Sequence, residues 1–269
     1  MIPHREIAPA KLNLALHVRG VRPDGRHDIE TVFAFCTDGD RLSAEEADDL
    51  SLEVTGPFAG ELGPADENLV LKAARTLREA SGVSKGAAIQ LDKRLPVASG
   101  IGGGSADAAA ALRLLTTLWS VDPAHASAVA PTLGSDVPAC LLSLPARGEG
   151  AGDELAIIDL AVLSGTPVLL VNPRVAVSTA EVFSRWDGVD RGKLQDWQAG
   201  RNDLQEAATA IAPQIVSVLA WLSAQAGADF VRMSGSGATC FALFETEASR
   251  DDAAMAVPRE WWHLPTFLR

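Results

Sequence analysis

Residues 96–106 have the sequence PVASGIGGGSA, and a segment rich in Ala and Leu follows them up to about Trp119. Four of the five residues at 100–104 are glycine, which loses much backbone entropy on folding and offers no side chain for packing. Such a run lets backbone amides approach a ligand. It also leads into a helix whose first N–H groups lack partners and whose dipole favours negative charge. The stretch therefore predicts a phosphate-binding loop, with a flexible turn of no function as the alternative.

Two familiar phosphate-binding loops do not fit this stretch. A Walker A loop ends in Gly-Lys-Ser/Thr, and no lysine follows these glycines. The Gly-x-Gly-x-x-Gly pattern of dinucleotide-binding domains, started at Gly100, requires Gly or Ala where Ser105 stands. That pattern also lies close to the first strand of its domain rather than near residue 100. The loop is therefore of another kind.

The overall charge restricts the partners. The 269 residues include 23 Lys and Arg against 35 Asp and Glu, a formal net charge of −12. Such a surface repels nucleic-acid phosphates and anionic lipid, and the sequence contains no Lys/Arg-rich run to offset it. We expect no nucleic-acid partner. An anionic ligand must be bound by local dipoles and one or two well-placed cations.

The remaining composition is that of an ordinary soluble globular protein. Hydrophobic residues make up 47% and charged residues 22% of the chain. No window of about 18 uninterrupted apolar residues predicts a membrane span, and the first 18 residues lack the pattern of a secretory signal. The three cysteines form no CxxC pair, so neither a disulfide framework nor a structural zinc site is expected. We therefore expect a cytoplasmic location and no membrane partner.

Periodicity predicts that strands and helices alternate in both halves, which indicates an α+β protein with two domains. A period of two at residues 12–18 predicts a strand, and a helical period at 68–81 with Gly82 after it predicts a capped helix. Turn signals and periodicity predict further strands at 30–36, 49–55, 87–91, 166–172, 229–233 and 239–244. They predict further helices at 123–133 and 178–186, and two between 202 and 226. The Gly-rich segment 146–152 is the predicted boundary, giving domains 1–152 and 153–269.

Three motifs along the chain resemble those of the GHMP kinases. AKLNLAL at 10–16 is similar to the first motif, the glycine loop to the second, and MSGSGAT at 233–239 to the third. They occur in the expected order and cover most of the chain. The resemblance implies the two-domain GHMP kinase fold, with a ribosomal-protein-like α/β domain first and a ferredoxin-like α+β domain second. It also implies ATP as the phosphoryl donor and Mg²⁺ as its companion, although no acidic cluster in the sequence identifies metal ligands.

Shorter segments narrow the resemblance to the family members that phosphorylate a cytidine diphosphate-linked polyol. These segments are RPDGRH at 22–27, LGSDVPACL at 133–141, VSTAEVF at 177–183 and RNDLQ at 201–205. The implied activity is transfer of a phosphoryl group from ATP to a hydroxyl of the polyol. Such a reaction asks the protein mainly for positioning and charge stabilisation.

The resemblance assigns two catalytic residues. Asp136 resembles the family's catalytic carboxylate, which takes or orients the proton of the attacking hydroxyl. Lys11 resembles its partner, which polarises the hydroxyl and neutralises charge on the transferred group. Taken alone, Asp136 reads better as a turn aspartate and Lys11 as a solvated lysine at a strand edge. The ATP-binding residues implied by the second motif are Pro96, Val97, Ala98, Ser99, Gly100, Ile101, Gly102, Gly103, Gly104, Ser105 and Ala106.

The resemblance also implies a set of substrate contacts. His27 resembles the histidine that hydrogen-bonds the cytosine, and Phe183 the ring that covers one face of this base. The family usually has Tyr where this chain has Arg26, and the chain contains no Tyr at all. A guanidinium plane can stack on a base, so Arg26 is a candidate replacement for that ring. The predicted substrate-binding residues are Asn13, Arg26, His27, Thr179, Phe183, Gly235, Ser236 and Gly237.

Two other functions are compatible with the sequence. The first is a GHMP kinase that acts on another small alcohol, because Arg26 departs from the cytidine-binding pattern. The second is a nucleotide-binding module that has lost activity, although such a module has no need of a catalytic carboxylate. Neither the oligomeric state nor the metal ligands can be predicted from the sequence.

Overall fold

The computed structural model describes residues 4–269. The first three residues, which belong to the predicted N-terminal domain and to the N-terminal segment without a secretory pattern, lie outside the described residues. The chain forms two compact units, and neither is one continuous block. The first comprises Asp38–Val97, Gly102–Ser143 and the N-terminal segment that ends at Ala10. The second comprises Lys11–Thr37, Ala98–Ile101 and Leu144–Arg269. The units therefore differ from the predicted division at residue 152, which stays a prediction.

Strands and helices alternate along the described chain. The strands are β1 (His4–Val21), β2 (His27–Ala47), β3 (Leu50–Thr55), β4 (Gly86–Asp92), β5 (Ala146–Glu149), β6 (Glu154–Ile157), β7 (Pro167–Asn172), β8 (Ala228–Met233), β9 (Cys240–Phe244) and β10 (Trp262–Phe267). The helices are α1 (Leu69–Ser81), α2 (Gly103–Trp119), α3 (Pro123–Leu133), α4 (Val137–Leu142), α5 (Thr179–Ser184), α6 (Gln205–Ile211), α7 (Gln214–Ser223) and α8 (Glu247–Met255). No helix within residues 4–269 is both long and apolar enough to span a bilayer.

The first unit packs four helices with a small mixed sheet. Strand β3 pairs in parallel with β4, and α1 forms the crossover between them. The second half of β2 pairs antiparallel with β4, from Arg41 opposite Asp92 to Ala47 opposite Gly86. Helix α2 packs against α1, α3 and α4, which buries its Ala/Leu-rich length. Because the buried residues along α2 pack against these helices, they also fix the position of its first turn.

Two of these helices begin and end where the sequence predicts. The side chain of Asn68 accepts a hydrogen bond from the backbone N–H of Val70 and caps α1, which ends at Gly82 with a φ of 69°. Helix α3 spans the predicted 123–133, with Asp122 as its N-cap and Pro123 in its first turn. Strands β1 and β2 are longer than predicted, because alternation at 12–18 and 30–36 marks only part of each.

The second unit contains a four-stranded antiparallel sheet in the order β10-β7-β9-β8. In chain order this is strands 4-1-3-2 of a βαββαβ unit, which is the ferredoxin-like arrangement predicted for the second domain. Helix α7 packs on β8 and β9, and α8 packs on β7 and β10. The core beneath these helices is apolar and includes Leu169, Val171, Ile215, Val218 and Phe244.

Candidate active site

The glycine loop ends in an uncapped helix N-terminus. Helix α2 has 17 residues, and its N-cap is Gly102, which has a φ of 66° and no side chain that could cap the first turn. The amide of Ala106 already donates to the carbonyl of Gly102 at 2.8 Å. The amides of residues 103–105 precede that bond and lie in the first turn, where a long helix leaves its N–H groups for a ligand. This geometry supports the predicted phosphate-binding loop.

Residues 99–101 are held by the first and third motifs through backbone hydrogen bonds. The amide of Lys11 donates to the carbonyl of Ile101 at 3.0 Å. The amide of Thr239 donates to the carbonyl of Ser99 at 3.1 Å. The hydroxyl of Ser234 donates to the carbonyl of Gly100 at 3.0 Å. In the second unit, three segments that are far apart in sequence therefore meet at this part of the loop.

The meeting of these segments explains two of the glycines. Gly100 has a φ of 78°, and a Cβ on it would lie against the carbonyl oxygen of Ser234 and 2.7 Å from that of Gly237. A Cβ on Gly235 would lie 2.7 Å from the carbonyl oxygen of Gly100. The sequence suggested that glycine allows close approach to a ligand. At these two positions it allows the close approach of two backbone segments.

Lys11 is buried and ordered by Asn13. Its side chain is only 3% exposed, and its ammonium donates to Asn13 Oδ1 at 2.9 Å. Asn13 in turn donates from its side-chain Nδ2 to the hydroxyl of Thr31 at 2.8 Å, and its backbone N–H donates to the hydroxyl of Ser234 at 3.1 Å. The ammonium also lies 5.2 Å from the ring centre of Phe33. The alternative of a solvated lysine at a strand edge is therefore wrong.

Asp136 belongs to the first unit, whereas Lys11 belongs to the second. Asp136 is half-buried at the N-cap of α4, and its carbonyl accepts the amide of Cys140 at 3.0 Å. Helix α4 begins here because Pro138, whose fixed φ suits a first helical turn, follows closely. The backbone of Asp136 thus starts a helix, and its catalytic role stays a prediction.

His27 contacts two aromatic rings. Its ring centre is 4.8 Å from that of Phe183, with a tilt of 39° between the rings. It is 5.7 Å from that of Trp186, which meets it edge-on. Burial lowers the pKa of His27 below its ordinary value, so the imidazole is uncharged at neutral pH. The predicted pair of His27 and Phe183 is therefore in contact, and Trp186 is a neighbour that the sequence did not suggest.

Arg26 is engaged by two carboxylates. Its guanidinium lies 2.9 Å from Asp24 Oδ2 and 3.4 Å from Asp153 Oδ2, and its side chain is 53% exposed. These contacts hold the turn before β2. The face of the guanidinium could stack on a base while its edges keep these ion pairs, and the predicted role of Arg26 as a replacement for Tyr stays a prediction.

Two other predicted substrate residues are brought together. The hydroxyls of Thr179, at the start of α5, and Ser236, in the third motif, are 2.9 Å apart and share a hydrogen bond. Ser236 is buried, and Gly237 next to it has a φ of 84°. A Cβ on Gly237 would lie 2.9 Å from the sulfur of Met233, so this glycine also serves packing.

Comparison with protein families decides the classification. The GHMP kinases N terminal domain matches residues 68–143, and the GHMP kinases C terminal domain matches residues 184–263. The chain belongs to the GHMP kinase family. It is therefore an ATP-dependent small-molecule kinase, and the predicted fold is confirmed.

Two relatives of this GHMP kinase with high sequence identity and one similar crystal structure carry the name of the same enzyme. The 4-diphosphocytidyl-2-C-methyl-D-erythritol kinase of Rhizorhabdus wittichii is 53% identical, covering 98% of this chain and 94% of that protein. The enzyme of the same name from Novosphingobium aromaticivorans is 50% identical, covering 98% and 93%. A crystal structure of 4-(cytidine 5'-diphospho)-2C-methyl-D-erythritol kinase superposes with a TM-score of 0.85 at 33% identity, covering 98% of each chain.

Asn202 is a further residue that organises the third motif of this GHMP kinase. Its side-chain amide donates to the carbonyls of Met233 and Gly235, both at 2.8 Å, and its Oδ1 accepts the amide of Leu204 at 3.0 Å. An asparagine just before a helical segment is typical of a helix N-cap, but Asn202 is not one, because α6 begins at Gln205 and its N-cap is Leu204. The RNDLQ segment is the feature of the sequence that points to Asn202, but it does not reveal that the partners of Asn202 lie in the third motif.

The described residues provide no ready-made cage for the implied Mg²⁺. No group of three or more His, Cys, Asp or Glu side chains within residues 4–269 is arranged to hold a metal ion. Mg²⁺ in kinases is commonly bound through substrate phosphates with several waters retained. A metal bound in this way requires few ligands from the protein itself.

The donor role of Asn202 can be tested by Asn202→Asp. Aspartate keeps the shape and the acceptor but places a carboxylate oxygen against two carbonyls, so we expect the protein to lose about 2–4 kcal/mol of stability. We also expect the Michaelis constants of both substrates to rise. Chemical denaturation and steady-state kinetics measure these effects.

Asn68→Asp is the matched control. Asn68 uses only its acceptor, to cap α1, and aspartate caps a helix equally well. Equal stability of the two variants would contradict the donor role assigned to Asn202.

Proposed function

We propose that this GHMP kinase transfers the γ-phosphoryl group of ATP to the 2-hydroxyl of 4-diphosphocytidyl-2-C-methyl-D-erythritol, in non-mevalonate isoprenoid precursor biosynthesis. The observation that carries this proposal is that the enzyme name of the relatives agrees with the residues found in the candidate active site. Relatives at 53% and 50% identity over nearly the whole chain bear the name of this enzyme. The residues that we assign to the reaction are present, and several of them are in contact.

The donor site rests on the start of α2. We propose that the amides of residues 102–105 bind the phosphates of ATP, because they combine a helix dipole with N–H groups in an uncapped first turn. Such a site requires little positive charge, which suits a chain with a net charge of −12. Mg²⁺, when bound to the nucleotide, would neutralise part of the phosphate charge.

Lys11 and Asp136 would act on the acceptor hydroxyl. Asp136 would accept the proton as the oxygen attacks the γ-phosphorus, which is the role of a general base. Lys11 would stabilise the negative charge that develops during transfer. The structure supports the role of Lys11 because Asn13 fixes its ammonium, and the buried surroundings strengthen its field.

His27 and Phe183 would recognise the cytosine. An uncharged imidazole has one N–H donor and one acceptor nitrogen, and cytosine presents an amino donor beside a ring-nitrogen acceptor. Burial keeps His27 in that uncharged form. Phe183 lies against the same imidazole and offers an aromatic face for the base.

A GHMP kinase for another small alcohol is the second candidate function. It is favoured by one observation, namely that Arg26 is occupied by Asp24 and Asp153 where the family usually has a tyrosine ring. Such a kinase would share the donor site and differ only in the acceptor. The two functions are therefore separated by acceptor specificity alone.

The test is consumption of Mg-ATP by the purified protein with 4-diphosphocytidyl-2-C-methyl-D-erythritol, and with homoserine and mevalonate in parallel. We expect turnover with the cytidine compound only, detected as ADP and confirmed by the phosphorus NMR signal of a new phosphomonoester. Turnover with one of the other alcohols and not with the cytidine compound would overturn the proposed substrate.

The role of Asp136 can be tested by Asp136→Ala. We expect kcat to fall by about 10²–10⁴-fold, which is the usual contribution of a general base, while Mg-ATP still binds. Single-turnover kinetics and calorimetric titration of Mg-ATP separate these two effects.

Asp122→Ala is the control, because Asp122 caps α3 and has no proposed catalytic role. It should lower stability by about 1 kcal/mol and leave kcat near that of the wild type. A normal kcat in Asp136→Ala would show that another group takes the proton.

A further inference from the structure

Three charged side chains form a buried cluster in the first unit. The ammonium of Lys93 lies 2.5 Å from Asp40 Oδ2 and 2.6 Å from Asp107 Oδ2. Lys93 is 1% exposed, Asp40 0% and Asp107 3%. No element of the proposed reaction uses these residues.

The two carboxylates of the cluster differ in their hydrogen bonds. Asp40 Oδ1 accepts the backbone amides of Arg94 and Leu95, at 2.5 and 2.8 Å, so both oxygens of Asp40 have partners. These bonds fix the backbone immediately before the glycine loop. Asp107 Oδ1, in contrast, is buried without a hydrogen-bond partner. An anionic oxygen in that position would be costly, whereas the carbonyl oxygen of an uncharged acid is tolerated more easily.

The charges of the cluster do not balance when all three groups are ionised. Two carboxylates and one ammonium leave one negative charge in the interior. Burial raises the pKa of Asp107, Lys93 opposes this effect and Asp40 adds to it, and together they raise the pKa to about 8. The two carboxylates raise the pKa of Lys93 despite its burial, so Lys93 stays charged. Near neutral pH the cluster is therefore neutral, with Asp107 carrying the extra proton.

The cluster lies directly beside the start of α2. A Cβ on Gly103, the first residue of the helix, would lie 3.1 Å from Lys93 Nζ and 3.8 Å from Asp40 Oδ2. Asp107 is one turn further along the same helix. Ionised Asp107 would place an uncompensated negative charge next to the positive end of the helix dipole, which is the end that attracts phosphate. Lys93 does not offset this charge at the phosphates, because its ammonium is already held by two carboxylates.

The charged groups that act most strongly on Asp107 are Lys93 and Asp40. Of the helices packed on α2, α1 carries exposed Lys72, Arg75 and Glu79 and half-buried Arg78. Helix α3 carries His125 as its ionisable group, and α4 carries only the thiol of Cys140. Arg94, next to Lys93, lies near Asp92 on the exposed side. The direct partners of Asp107 are therefore Lys93 and Asp40.

We propose that Asp107 is a positioning residue for ATP: in its uncharged form it completes, with Lys93 and Asp40, an electrically neutral support under the first turn of α2. Its ionisation weakens phosphate binding at that turn. The effect on ATP rests on the proposed donor site, whereas the protonation of Asp107 does not.

The first test compares the pH dependence of the KM for Mg-ATP in the wild type and in Asp107→Asn. Between pH 7 and 9.5 we expect the KM of the wild type to rise about tenfold, as one added charge a few ångströms from the phosphates would cause, with a smaller change in kcat. Asparagine resembles the protonated acid and cannot ionise, so its KM should stay level. Changes in the ionisation of ATP itself affect both proteins equally and cancel in the comparison.

Glu79→Gln is the control, since it removes a negative charge from the exposed side of α1. Its KM should rise with pH as in the wild type. Parallel pH profiles for the wild type and Asp107→Asn would overturn the proposal. So would a loss of more than about 100-fold in kcat/KM at pH 7 in folded Asp107→Asn, because that would show that the anion is required.

The second test is independent of ATP and uses thermal stability. The pKa of Asp107 is raised from about 4 in the unfolded chain to about 8 in the folded protein. Between these values the folded protein binds the extra proton, so stability contributed by this group falls as the pH rises. The Tm of Asp107→Asn minus that of the wild type should therefore increase from pH 5 to about pH 8 and stay constant at higher pH.

A Tm difference that does not change with pH would overturn the proposal even if the kinase activity is as proposed. If neither protein consumes ATP, the proposed function fails, and the Tm comparison still decides whether Asp107 is protonated.

Discussion

The close approach of Gly100 to Ser234 and Gly235 is the constraint on which the proposed site depends. The carbonyl of Gly100 accepts the hydroxyl of Ser234, and neither Gly100 nor Gly235 has room for a Cβ. The same hydroxyl accepts the amide of Asn13, whose side chain orders the ammonium of Lys11. One contact between two backbone segments therefore links the glycine loop, the third motif and the proposed catalytic lysine.

This arrangement explains how an acidic chain can handle a polyanionic substrate. With a net charge of −12, the protein offers no broad positive surface to ATP. In the proposed site it would rely on the amides and dipole of one long helix, α2, and on a lysine whose position is fixed. Lys93, which lies beside the start of that helix, is held by Asp40 and Asp107 and serves the structure instead.

Local patterns were sufficient for much of the fold but not for the partners of polar side chains. The caps of α1 and α3 follow from Asn68, Gly82 and Pro123, whose preferences are local. The roles of Asn202 and Asp107 depend on groups far away in sequence, such as Asp40, which is 67 positions from Asp107. Nothing in the residue types reveals such contacts, and the discontinuous division of the chain into units escaped prediction for the same reason.

The most direct test of this account is calorimetric titration of Mg-ATP into Gly100→Ala, with Gly20→Ala as the control because a Cβ on Gly20 would meet nothing within 4 Å. The added methyl group at residue 100 must push the loop away from Ser234 and Gly237. The account predicts at least about a tenfold weaker Kd for Mg-ATP in Gly100→Ala, since misplaced amides bind phosphate poorly, and an unchanged Kd in Gly20→Ala. Equal affinity of both folded variants for Mg-ATP would contradict the claim that this contact builds the nucleotide site.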